Sequence, residues 1–183
     1  MKNVIFAFLM FSSLIAVGQS KFFTKTGYIG FYSKSPMEDI SAKNEQATSI
    51  FDAETGKMVI AVLMKSFRFE KALMEEHFNE NYVESDLYPK ASFSGEIKDF
   101  KNLSFVNGQA VKVTVTGQLT IHGITKPISA EGTVTKTKDG YTADSQFYIK
   151  LDEYNVKIPS LVKDNINNDI LITVKFNYLP MGK

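Results

Sequence analysis

The chain contains no cysteine and no tryptophan, and only 2 histidines among 183 residues. Without cysteine there is no disulfide, no thiolate nucleophile and no thiolate metal ligand. A lipid-modified N-terminal cysteine is excluded for the same reason. The histidines, His77 and His122, would need carboxylates to complete a zinc site, and neither falls in an HExxH-type spacing. An excess of one charge is also missing, since 21 basic residues face 20 acidic ones. That balance removes the basic footprint of a nucleic-acid-binding protein, and no basic amphipathic block points to a membrane surface. There is no Gly-x-Ser-x-Gly elbow and no glycine-rich phosphate loop. The adjacent carboxylates Glu75-Glu76 and Asp152-Glu153 diverge on any regular element and read as solvated faces.

The longest apolar stretch stands at the start, in MKNVIFAFLMFSSLIAVGQS. Lys2 precedes an apolar run from Val4 to Val17, broken only by Ser12 and Ser13, with small residues at Ala16 and Gly18. This is the order of a secretory signal peptide. The run is shorter than the roughly 20 apolar residues of a membrane-spanning helix. Residues 1–18 are therefore expected to be removed, with the cut as late as Ser20. Residues 19–183 then form one exported domain, periplasmic or secreted, with no stable membrane span. A domain of about 165 residues buries enough apolar surface to stand without disulfides.

The rest of the chain is dominated by a period of two. Val111, Val113, Val115, Gly117, Leu119 and Ile121 alternate with Lys112, Thr114, Thr116, Gln118, Thr120 and His122. Successive strand side chains face opposite ways, so this is a strand about 40 Å long with one apolar face. Gly123 comes next, and the alternation resumes at Ile128, Ala130, Gly132 and Val134. Two antiparallel strands joined at His122-Gly123 are the simplest reading. Pro127 carries no amide donor and belongs where no ladder bond is needed.

The same period recurs at Ala91–Ile97, Gln146–Leu151 and Ile170–Tyr178. Met58–Met64 is wholly apolar and then alternates at Phe67 and Phe69. Phe23, Ile29 and Phe31 mark a strand near the start of the domain. Ile40–Phe51 is a weaker strand, because Asn44 and Gln46 interrupt its apolar phase. Turn signals at Ser35-Pro36, Glu54-Thr55-Gly56, Asn107-Gly108 and Asp139-Gly140 separate these runs. Between Glu70 and Tyr82, Leu73, Met74, His77 and Phe78 recur at helical spacing, opposite Glu75, Glu76, Asn79 and Glu80. A second short helix or turn is expected at Ser160–Asn165. About eight mostly antiparallel strands with one short amphipathic helix give an all-β fold. A closed barrel removes the exposed edges such strands would present, and a sandwich is the alternative.

Three blocks then carry a resemblance: FEKALMEEHFNENY (Phe69–Tyr82), YPKASFSGEI (Tyr88–Ile97) and, most specifically, GQLTIHGITKPI (Gly117–Ile128). Together they resemble the YceI-like proteins, also described as polyisoprenoid-binding. The resemblance extends over most of Lys21–Leu179. It implies an eight-stranded antiparallel lipocalin-like barrel. It also implies an apolar pore for a long-chain lipid, such as an isoprenoid quinone, a polyisoprenoid or a fatty-acid amide, in an exported bacterial protein.

On that reading the expected ligand-binding residues are Phe67, Phe69, Leu73, His77, Phe78, Phe93, Leu119, Ile121, Phe147, Ile149, Ile172, Val174 and Phe176. Tyr88, Asn44 and His77 are the candidates for holding a head group. His122, on the polar phase beside a turn glycine, reads as a turn histidine bonded to nearby backbone rather than a base. His77 reads either as a buried, hydrogen-bonded histidine or as a group at the cavity mouth. The expected partner is the lipid, with no catalytic residues, no metal, no resident cofactor and no nucleic acid. A homodimer is left open. Two alternatives stand beside the carrier: a barrel with a filled core serving as an interaction module, and a lipid-acting enzyme on the same fold using His77.

Overall fold

The computed structural model describes residues 20–34, 39–158 and 167–181. The expected signal peptide, the Ser35-Pro36 turn and the expected helix at Ser160–Asn165 lie outside these residues. Strands β1 (Lys21–Ser33), β2 (Ile40–Asp52) and β3 (Lys57–Leu63) come first, followed by a two-residue strand β4 (Arg68–Phe69). Helix α1 (Ala72–His77) continues into a π-helical turn at Phe78–Tyr82. Strands β5 (Lys90–Ile97), β6 (Ala110–Ile121), β7 (Ile124–Lys136), β8 (Tyr141–Lys150) and β9 (Asp169–Pro180) complete the described chain.

The sheet runs β1-β9-β8-β7-β6-β5-β3-β2, and β1 pairs again with β2, so eight antiparallel strands close a barrel. The short β4 adds to the free end of β2 through Ala42–Phe69 and Lys43–Arg68. This closure settles the choice between barrel and sandwich.

Local chemistry explains the connections. His122 and Gly123 both take positive φ, 50° and 73°, between the paired Ile121 and Ile124. Two such residues make the tight hairpin turn whose twist matches the strands. Asn44 interrupts the apolar phase of β2 because the strand carries a bulge there. The register of β1 against β2 shifts between Gly27–Ala47 and Ile29–Asn44. The Asn44 side chain accepts from the Gln46 amide at 2.8 Å and donates to the Leu63 carbonyl at 3.1 Å. The expected weak strand is thus a full 13-residue strand whose irregularity is held by its own asparagine.

One seam of the barrel is incomplete. Pairing of β7 with β8 runs only from Lys136–Tyr141 to Gly132–Ser145. Beyond it, Ile124–Glu131 pairs only with β6. Pro127 sits in that stretch, where the β8 side asks for no amide donor. The open part of the seam is covered by the turn after β8. Tyr154 and Val156 are buried there in a cluster with Ile149 and Ile170, against Ile121 and Ile124.

Candidate functional site: an apolar barrel cavity

The strand period sends alternate side chains inward. Ile29 and Phe31 from β1, Ile60 and Val62 from β3, and Val113 and Val115 from β6 face Ile172, Val174 and Phe176 of β9 around a cavity of about 480 Å³. A barrel of eight strands is just wide enough for its own side chains or one small ligand. Here glycine helps to set the room. Gly95 and Gly117 are directly opposed on β5 and β6, and the Phe93 ring lies over both. A Cβ at Gly117 would stand 2.6 Å from that ring and 2.4 Å from the Ser94 carbonyl.

Aromatic side chains close both ends. At one end Phe51 meets Tyr141 at 5.4 Å, Tyr178 at 5.7 Å and Phe100 at 6.1 Å between ring centroids. Tyr178, 1% exposed, donates to Ser49 Oγ at 2.7 Å, and Ser49 donates to the Val59 carbonyl at 2.9 Å. Burial pushes the Tyr178 phenol far above its ordinary value, so it stays a donor. At the other end Phe31 packs on Phe67 (5.4 Å), Phe69 (5.6 Å) and Phe78 (5.4 Å). These three come from β4, its approach and the turn after α1, so the helical segment lies across this end. Glu75 fastens it, accepting from Arg68 Nη1 at 2.7 Å and from the Phe69 amide at 3.3 Å.

The expected residues Phe67, Phe69, His77, Phe78, Phe93, Leu119, Ile121, Phe147, Ile149, Ile172, Val174 and Phe176 all line this cavity. Leu73 does not; it is 61% exposed. The regular helix is only six residues long, and its inward stripe runs through Met74, His77 and Phe78, which places Leu73 on the flank. Met74 was legible on the same stripe. Ile60, Val62 and Met64 were hidden because Met58–Met64 is apolar on both faces, so no period marks the inward set. Ser33 lies two residues beyond Phe31 on the same face, and a polar side chain there ends the apolar period rather than marking the lining.

The polar candidates separate. His77 is exposed at the rim and lines the cavity, so it is not the buried histidine of the plainer expectation. Asn44 is 1% exposed and committed to the β2 bulge. Tyr88 packs edge-on against His122, with centroids 4.3 Å apart, and is not among the lining residues. His122 bonds backbone, as expected, through Nδ1 to the Tyr154 carbonyl at 3.2 Å. Its Nε2 adds a contact the sequence did not signal, to the Glu84 carboxylate at 2.7 Å. A neutral ring can donate to one of these acceptors, and the imidazolium to both. Among the described residues no group of three or more His, Asp or Glu side chains could hold a metal, and no helix is long and apolar enough to cross a membrane.

A model of the YceI-like domain matches residues 23–178. The chain belongs to the YceI-like domain family. A polyisoprenoid binding domain from Saccharophagus degradans, implicated in plant cell wall breakdown, superposes with a TM-score of 0.77 at 13% identity, covering 88% of this chain and 99% of that one. BcnA of Burkholderia cenocepacia does so with a TM-score of 0.68 at 19% identity, covering 81% and 94%. The YceI protein of Campylobacter jejuni gives a TM-score of 0.61 at 16% identity, covering 82% and 90%. At these identities the likeness establishes the barrel alone. Among curated proteins compared by sequence, none matches.

Proposed function

We propose that this YceI-like chain is an exported carrier that holds one long-chain lipid in its barrel, for transport or storage. The observation that carries the reading is the cavity of about 480 Å³, enclosed by a closed barrel and lined almost wholly by apolar side chains. Apolar surface leaving water contributes about 25 cal/mol per Å² to binding, before the costs of ordering the chain. The polyisoprenoid-binding neighbour supports an isoprenoid-type ligand. The order of charges and apolar residues in 1–18 supports export to the periplasm or beyond. The helical segment over the Phe31 end is the natural cover for ligand exchange, since side-chain packing through Phe78 and the Arg68–Glu75 pair hold it rather than the barrel ladder.

The cavity supports this reading over the filled barrel. A filled barrel would leave no such space. A lipid-acting enzyme would need a nucleophile paired with an oriented base. Ser33 and His77 line the cavity, but the Ser33 hydroxyl has no hydrogen-bond partner, so the two are not paired. The test is uptake of a long-chain isoprenoid alcohol by lipid-stripped protein, followed by native mass spectrometry. The reading expects saturation at one lipid per chain. Leu119→Trp, which fills the space, is expected to remove uptake while the protein stays folded. Normal uptake by that variant would refute the pore assignment.

A further inference from the structure

The cavity wall contains one buried polar group that the protein leaves without a partner. Ser33 follows Ile29 and Phe31 on the inward phase of β1, and all three line the cavity. Ser33 is 1% exposed. Its hydroxyl is buried and makes no hydrogen bond in the structure. Its cross-strand neighbour on β2 is Ile40, another lining residue. Among the described residues the other buried unpartnered side-chain atom, Asn79 Oδ1, belongs to a residue outside the lining.

A buried hydroxyl with no partner is costly, and the large majority of buried polar side-chain atoms in folded proteins have one. Alanine at this position would build the same wall without that cost. Phe31, Ile40 and Ile170, its apolar companions in the lining, supply neither donor nor acceptor. Among the described residues the lining contains no lysine or arginine. A carboxylate or phosphate beside Ser33 would be a buried charge with no lysine or arginine to pair it among the described lining residues, the imidazole of His77 standing at the exposed rim.

We infer that Ser33 is the anchor for an uncharged hydrogen-bonding head group, a hydroxyl, carbonyl or carboxamide, at the Phe31 end of the cavity. This rests on the carrier reading and narrows it. The ligand class is a long chain with a neutral polar head, held out of water under the helical segment, rather than a free fatty acid or a phospholipid.

The test uses hexadecan-1-ol, hexadecane and hexadecanoate, each delivered from cyclodextrin to the lipid-stripped protein at pH 9. Affinities are compared for the natural chain and for Ser33→Ala. The natural chain is expected to prefer the alcohol to the alkane, and the substitution is expected to shrink that ratio about tenfold. Hexadecanoate is expected to bind more weakly than the alcohol. The melting temperature of lipid-free Ser33→Ala is expected to match or exceed that of the natural chain, because no protein hydrogen bond is lost. An unchanged alcohol-to-alkane ratio, or a marked drop in melting temperature, would overturn the anchor while leaving the carrier intact. Hexadecanoate binding as tightly as the alcohol would overturn the neutral-head assignment. Uptake of neither the alcohol nor the alkane by the natural chain would bring down the carrier reading, and the anchor with it.

Discussion

His122 Nε2 lies 2.7 Å from the Glu84 carboxylate while Nδ1 of the same ring meets the Tyr154 carbonyl at 3.2 Å. One side chain thus ties the β6–β7 turn to the segment after α1 and to the turn that covers the incomplete β7–β8 seam. The histidine is a structural clamp beside the cavity rather than a group inside it.

His122→Asn tests the clamp without spoiling the turn. Asn-Gly is itself a favoured pair for this hairpin, so the positive φ remains acceptable. The bonds to Glu84 and Tyr154 are lost. A global destabilisation of about 1–2 kcal/mol is expected by urea unfolding. Amide exchange should quicken most around Tyr154 and Val156. Unchanged exchange there would show that the seam is held by packing alone.

The Tyr178–Ser49 bond makes a prediction about alkaline pH. Tyr178 is buried and its phenol is raised from 10.0. Its neutral form is therefore favoured by folding, and that contribution is fully present below pH 10. As pH rises further, the unfolded chain loses this proton first and stability falls. Tyr178→Phe is expected to cost about 1 kcal/mol near neutrality, from the lost hydrogen bond. It should also decline less steeply than the natural chain above pH 10. Parallel alkaline slopes would remove Tyr178 from the account.

Glu75 joins the helical segment to β4 through Arg68, whose side chain is 61% exposed. An exposed pair of this kind contributes little to global stability, about 0.2–1 kcal/mol. Glu75→Ala is therefore expected to leave the melting temperature nearly unchanged and to accelerate lipid release several-fold, as measured by stopped-flow displacement. Unchanged release would place the exit elsewhere, with the β7–β8 seam as the next candidate.

Gly117 has no room for a side chain between the Ser94 carbonyl and the Phe93 ring. Gly117→Ala is expected to destabilise the barrel by about 1–3 kcal/mol through overpacking. In the fraction that folds, the ring is displaced toward the cavity and lipid capacity falls. Thermal unfolding together with lipid titration checks both effects.

Much of the barrel was legible in the residues because a barrel strand writes its two faces in alternation. Val111–Ile121 exposed its inward set directly, and Leu119 and Ile121 line the cavity as expected. Legibility failed where alternation was absent or locally broken. Met58–Met64 is apolar on both faces. Asn44 breaks the apolar phase of its strand and reads as a head-group candidate, because the bulge that shifts the phase and its hydrogen bonds to backbone are invisible in one dimension. Leu73 was placed inside by a helix assumed longer and more regular than the six residues that form. The Glu84 contact of His122 spans 38 positions and belongs to no local pattern.

The central claim is that the barrel is built around one lipid. The most direct measurement is native mass spectrometry of the protein expressed from its full sequence and purified without detergent, followed by solvent extraction and identification of what is released. The account predicts one long-chain lipid with a neutral polar head per chain. A bare protein mass, with no uptake of long-chain isoprenoid alcohols on addition, would contradict it.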